Sequence, residues 1–168
     1  IFRRDYSTRL DKIRSKIWRE VKVNVVGTEF CGLKNGDGSK RWMFLHGTPA
    51  HAAKWEWYLD HVPETHEFIA VDRPGFGFNK RHRPDHSIQS QANILSHWLD
   101  GHEKTLLIGH SFGGAVAAKM TLEHPDQVSG LVLLAAALDA EQEKIHFLQY
   151  VGKILFFLFP ASIRNSND

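Results

Sequence analysis

Residues 106–120 read LLIGHSFGGAVAAKM. An apolar run, Leu106-Leu107-Ile108, enters the turn Gly109-His110-Ser111-Phe112-Gly113 and leaves it through small and apolar residues. Residues 105–108 have the composition of a buried strand. Residues 112–124, with Ala115, Ala117, Ala118, Met120 and Leu122, favour a helix. A Gly-x-Ser-x-Gly pattern is weak alone and becomes specific when a strand precedes it and a helix follows. A serine on such an elbow is pushed into strained backbone geometry, and side chains at the flanking positions would collide with strand and helix. The elbow lifts the hydroxyl clear of the sheet and aims a helix N-terminus at it, where partial positive charge favours a developing oxyanion.

The surrounding sequence supplies the sheet that this elbow needs. Apolar runs at 42–45, 68–71, 105–108 and 131–134 are separated by helical stretches at about 51–61, 87–99 and 112–124. Continuous rather than alternating apolar strands, joined by helices, predict a mostly parallel, doubly wound α/β sheet with helices on both faces. Upstream, Val21, Val23 and Val25 alternate with Lys22, Asn24 and Val26 as in a half-buried strand. A second short strand spans 29–33, before the turn Asn35-Gly36-Asp37-Gly38. Ligands of open parallel sheets bind beyond the carboxyl ends of the strands. Three unusual stretches fall there: His46-Gly47-Thr48-Pro49, Asp72-Arg73-Pro74-Gly75-Phe76-Gly77 and Gly109-His110-Ser111-Phe112-Gly113.

Composition removes several classes. The length suits one domain, and 42% hydrophobic residues suffice for a core. The net charge of +2 is unevenly placed: residues 1–22 hold eight basic side chains against three acidic ones, so the remainder is net negative. No basic stripe interleaved with aromatics points to nucleic acid. Cys31 is the single cysteine, so neither an intrachain disulfide nor a multi-cysteine metal site can form. That favours a reducing, cytoplasmic compartment and is compatible with the periplasm. Neither Gly-x-x-x-x-Gly-Lys-Ser/Thr nor Gly-x-Gly-x-x-Gly occurs, which removes the phosphate-loop and dinucleotide readings. His82 and His86 are four apart, but Pro84 lies between them and no His-Glu-x-x-His occurs, so the sequence does not point to a zinc site.

The three loop stretches together, in this order and spacing from about residue 21 to 140, resemble the α/β-hydrolase superfamily in its serine-nucleophile branch. The resemblance implies Ser111 as the nucleophile and the backbone N–H groups of Thr48 and Phe112 as the oxyanion hole. The residue before a proline is biased to extended geometry, which helps to hold Thr48 in one pose. The resemblance makes Asp72 and Arg73 a structural turn, and His46 and His110 supporting residues. Dehalogenase and epoxide-hydrolase relatives carry an aspartate where this chain has Ser111. No cofactor or metal is implied.

The eleven histidines do not supply the base. Family order runs nucleophile, acid, histidine, and only His124 and His146 follow Ser111. His124 ends the helix that begins at the serine, roughly 18 Å away at 1.5 Å per residue. His146 falls where a cap begins. Asp139, after the sixth strand, is a weaker candidate for the acid than a position after the next strand. The base, and with it the acid, is therefore expected beyond residue 168. The stretch Val128 to Leu138, VSGLVLLAAAL, points the same way. It reads as a strand buried on both faces, without the charge, proline or bulge of a native edge. The sequence thus reads as an α/β-hydrolase fold incomplete at its C-terminus.

Three regions follow: a basic amphipathic helix over 1–20, the hydrolase core over 21–139, and the start of a cap or lid over 140–168. Tyr6, Leu10, Ile13 and Ile17 recur at helical spacing along the first, a period that continues to Val21 just beyond it. That segment reads as a surface helix leaning on the domain or as a helix on a membrane surface. The run Ile154-Leu155-Phe156-Phe157-Leu158-Phe159 is too apolar for water and too short to span a bilayer. A cap would bury Ser111 under it and form an apolar pocket; membrane contact is the second reading. The expected activity is serine-dependent hydrolysis of a largely apolar ester or related acyl compound, through an acyl-enzyme. Acyl transfer, carbon–carbon bond hydrolysis and a non-catalytic ligand-binding role on the same fold stay open.

Overall fold

A computed structural model describes residues 19–138, except 60–62, 64, 82–85 and 102. Most of the N-terminal amphipathic segment, the cap region over 140–168, Asp139 and His146 lie outside the described residues.

Six strands form one sheet: β1 (Arg19–Val25), β2 (Thr28–Asn35), β3 (Lys40–Leu45), β4 (His66–Val71), β5 (Thr105–His110) and β6 (Val128–Leu134), in the order β1-β2-β4-β3-β5-β6. β1 and β2 pair antiparallel, as do β2 and β4, whereas β4, β3, β5 and β6 run parallel. Among the described residues the helical segments are a 3-10 turn at Ala52–Trp55 that continues into α1 (Glu56–Leu59), a 3-10 turn at Gly77–Arg81, α2 (Ile88–Leu95) with a 3-10 turn at Ser96–Trp98, and α3 (Phe112–Glu123). This is the mostly parallel α/β sheet expected from the apolar runs.

Strand alternation divides the core between the two faces. Phe44, Phe68, Ala70 and Ile108 meet Ala52, Ala53 and Trp55 on one side. Met43, Leu45, Ile69, Val71 and Leu107 meet Ala92 and Leu95 of α2 and Val116, Ala117 and Met120 of α3 on the other. Both faces of the central strands are covered, which is why their sequences run apolar without a break.

Three expectations change. Val26 is not the end of a strand. It is the first residue of a two-residue hairpin turn with Gly27, at φ 49° and 97% exposed. The helix expected over 51–61 begins as a 3-10 turn, and the one over 87–99 is α2 followed by a 3-10 turn at Ser96–Trp98. The apolar run 128–138 is strand only to Leu134, because Ala135 turns to φ 46°. Among the described residues that strand pairs with β5 alone, and Val132 and Leu133 are 39% and 38% exposed, as expected of a strand whose second neighbour is not among them.

Because β3 lies between β4 and β5, the loops that follow these three strands adjoin at their carboxyl ends. Those loops begin at His46, Asp72 and Ser111.

Candidate active site

Ser111 joins β5 to α3 with φ 51° and ψ −123°, a backbone region that L side chains rarely adopt. The elbow is tied down on both sides. The Ser111 N–H donates to Leu134 O at 3.0 Å, and the Gly114 N–H donates to Ser111 O at 2.9 Å. The glycines are dictated by crowding. A Cβ on Gly109 would stand 2.5 Å from Gly114 Cα and 2.6 Å from Gly113 O. One on Gly113 would run into the carbonyl oxygens of Leu45 and His46, which brings the start of α3 directly onto β3. Among the described residues the Ser111 hydroxyl has no hydrogen-bond partner.

The loop after β3 lies against this elbow. A Cβ on Gly47 would stand 2.9 Å from Ser111 Cβ and 2.8 Å from His110 Nδ1. Thr48 follows, exposed, with a cis peptide bond to Pro49. Neither the Thr48 N–H nor the Phe112 N–H has an acceptor among the described residues. Phe112 opens a 12-residue helix, so its N–H carries the partial positive charge of the helix end. Two unused amide donors therefore flank the serine. An oxyanion formed at Ser111 is the kind of acceptor they could serve.

Beneath the loop sits a buried polar frame. Asp72 accepts the Ala52 N–H at 2.7 Å through Oδ1 and the Phe78 N–H at 3.0 Å through Oδ2. Gly77, at φ 51°, lies so close to this carboxylate that no side chain would fit. Asn79 links the same turn to β2, its Nδ2 donating to Asp72 O at 2.5 Å and its Oδ1 accepting the Cys31 N–H at 2.8 Å.

Arg73 is fully buried. Its Nε donates to His46 O at 2.7 Å and one terminal nitrogen to Gln91 Oε1 at 2.6 Å. The other donates to Gly47 O at 3.1 Å and to Thr48 Oγ1 at 2.7 Å. The guanidinium carbon lies 4.5 Å from the centre of the Phe76 ring and 4.8 Å from that of Phe112. Burial pushes the Arg73 pKa down to about 10, so the group stays charged at neutral pH. Asp72 and Arg73 thus form a turn frame, and Arg73 also reaches the loop that carries Thr48. The sequence signal was a charged residue at the buried end of an apolar strand; the partners three-dimensional folding would bring to it were not readable.

His46 cannot serve as a base in this arrangement. Its Nε2 accepts the Arg73 backbone N–H at 3.0 Å, so the proton sits on Nδ1, which donates to Gly47 O at 2.8 Å. Burial, with the Arg73 charge beside it, pushes its pKa down to about 3. An unfolded histidine takes its proton near 6.5. Between those values the unfolded state binds more protons, so this stabilisation is complete above pH 6.5 and is lost as pH falls toward 3. Urea unfolding is expected to show about 2 kcal/mol less stability at pH 5 than at pH 7 from this one group. A His46→Gln variant should flatten that part of the profile.

Of the remaining histidines, His110 is exposed on the elbow, and His124 caps the far end of α3. His66 contacts Thr65 Oγ1 at 2.9 Å and the Trp42 ring. Among the described residues no group of three or more His, Cys, Asp or Glu is placed to hold a metal ion.

Residues 43–160 match the sequence profile of the family described as alpha/beta hydrolase fold. The chain belongs to the α/β-hydrolase fold family. Lipase LipV of Mycobacterium tuberculosis is 36% identical over 110 residues, which cover 62% of this chain and 41% of that protein. A pimeloyl-(acyl-carrier protein) methyl ester esterase of Vibrio parahaemolyticus is 31% identical over 102 residues, 61% of this chain and 39% of the esterase. The crystal structure of a membrane phospholipase A, described as a bacterial virulence factor, superposes with a TM-score of 0.70 at 26% identity. It covers 79% of this chain and 46% of its own. The chain of this α/β-hydrolase thus spans less than half the length of each of these relatives.

Proposed function

We propose that the protein containing this chain is a serine hydrolase that cleaves an ester or related acyl compound of largely apolar character. One observation carries the reading: Ser111 is held at φ 51° on a strand-to-helix elbow, beside two amide N–H groups with no acceptor among the described residues. Strain of this kind persists where surrounding structure imposes it and clusters at functional sites.

In the proposed reaction Ser111 Oγ attacks the acyl carbon while a base takes the hydroxyl proton. The tetrahedral oxyanion accepts hydrogen bonds from the Thr48 and Phe112 N–H groups. Collapse returns the proton to the departing alcohol and leaves an ester on Ser111. Water, deprotonated by the same base, then releases the acid and restores the hydroxyl. Base and partner acid are assigned to histidine and carboxylate side chains outside the described residues, since both ring nitrogens of His46 are engaged and His124 caps the opposite end of α3. The apolar character of the substrate rests on the run 154–159 and on the lipase and methyl ester esterase named above.

A fluorophosphonate incubated with the full-length protein should add once per chain, read by intact mass. Chromogenic esters of increasing acyl length should give free acid as the product. Absence of an adduct would sink the reading. Transfer of the acyl group to an added alcohol in preference to water would replace hydrolysis with acyl transfer.

A further inference from the structure

Gly47 poses a mechanical problem that its neighbours solve. It must lack a side chain because Ser111 Cβ and His110 Nδ1 crowd it. Glycine, however, lets its peptide units rotate more freely than any other residue. The unit joining Gly47 to Thr48 holds both the Gly47 carbonyl and the Thr48 N–H, and in a trans peptide these point in opposite directions. Whatever grips Gly47 O therefore also sets the direction of the Thr48 N–H.

Two groups grip it. His46 Nδ1–H donates to Gly47 O at 2.8 Å, and the Arg73 guanidinium donates at 3.1 Å. The same Arg73 nitrogen donates to Thr48 Oγ1 at 2.7 Å, and Nε holds His46 O at 2.7 Å. Arg73 thus binds three consecutive residues of one loop. It also presents its own backbone N–H to His46 Nε2, which fixes the tautomer His46 needs in order to donate. No carboxylate pairs with the guanidinium among the described residues, because the adjacent Asp72 is turned to the amides of Ala52 and Phe78. Burying a cation against neutral oxygens and two ring faces is costly, and an apolar side chain would fill the space without that cost.

We infer that Arg73 is a positioning residue for the oxyanion hole: with His46 it locks the Gly47–Thr48 peptide plane and so fixes the Thr48 N–H as a donor. This inference rests on the serine-hydrolase reading for its catalytic consequence, but its mechanical part does not. Arg73→Met and Arg73→Lys in the full-length protein test both.

In Arg73→Met the kcat for an ester should fall about 100-fold, the size of one lost oxyanion donor, with KM nearly unchanged. Hydrogen exchange across 46–48, read by mass spectrometry, should speed up at least about tenfold while β4 and β5 stay protected. Arg73→Lys, which keeps the charge but loses the fork, should fall between wild type and Arg73→Met in both measurements. Wild-type kcat in Arg73→Met would overturn the inference. So would a lowered kcat with unaltered loop exchange. If wild-type protein takes no fluorophosphonate, the functional reading fails by itself, and the exchange measurement still decides whether Arg73 locks the loop.

Discussion

Ester turnover by the full-length protein is expected to fall at least about 10⁴-fold in Ser111→Ala, because the group that bonds to the acyl carbon is gone. The folded state should survive the change. The hydroxyl makes no hydrogen bond among the described residues, and alanine occupies φ 51° at much the same cost as serine. Ser111→Gly goes further, since glycine reaches that region freely. It should match the alanine variant in inactivity while gaining about 1 kcal/mol of stability over wild type. Steady-state ester assays and thermal unfolding of the three proteins check this together. Strain that disappears along with activity would mark the elbow as held for chemistry. Turnover retained in Ser111→Ala would remove the serine from the reaction.

The second large effect falls on stability. The Cβ of a Gly113→Ala variant would overlap the backbone carbonyl oxygens of Leu45 and His46, neither of which can rotate away. The start of α3 would have to lift from β3, opening the contacts of Val116 and Ala117 with the buried apolar cluster. A loss above about 3 kcal/mol, or failure to fold, is expected. Gly130→Ala is the control: its Cβ meets only Leu106 Cδ1, at 2.9 Å, and a flexible side chain can turn aside. That variant should stay within about 1 kcal/mol of wild type. Urea unfolding of both separates the two cases. Equal stability would mean that α3 does not rest on β3 as described.

The sequence made the central strands legible because both of their faces are covered. Phe44 and Met43, or Phe68 and Ile69, enter opposite halves of the core, so no polar residue interrupts the run. Strand ends set by tertiary contacts were less legible. Nothing in Leu133-Leu134-Ala135-Ala136 signals a turn, yet β6 stops at Leu134, whose carbonyl takes the Ser111 N–H, and Ala136 crowds Gly114. Val26 misled for a related reason. Its valine fits the alternation of β1, while the following glycine and the Asn24 side chain, which accepts the Gly27 N–H at 2.9 Å, decide for a hairpin turn.

At the candidate site the glycines could be explained before the structure, since strand-to-helix crowding follows from the elbow itself. The grip of Arg73 on His46, Gly47 and Thr48 could not, because it joins residues about 25 positions apart across two parallel strands. The same contact revises the part played by Thr48. Its amide is the proposed donor, and its hydroxyl is also an acceptor for a buried cation.

A crystal structure of the full-length protein carrying a phosphonate adduct tests the central claim most directly. Phosphorus should be bonded to Ser111 Oγ. One phosphonyl oxygen should accept hydrogen bonds from both the Thr48 and Phe112 N–H groups, at about 2.7–3.1 Å. Phosphorus on any other residue, or a phosphonyl oxygen turned away from both amides, would contradict it.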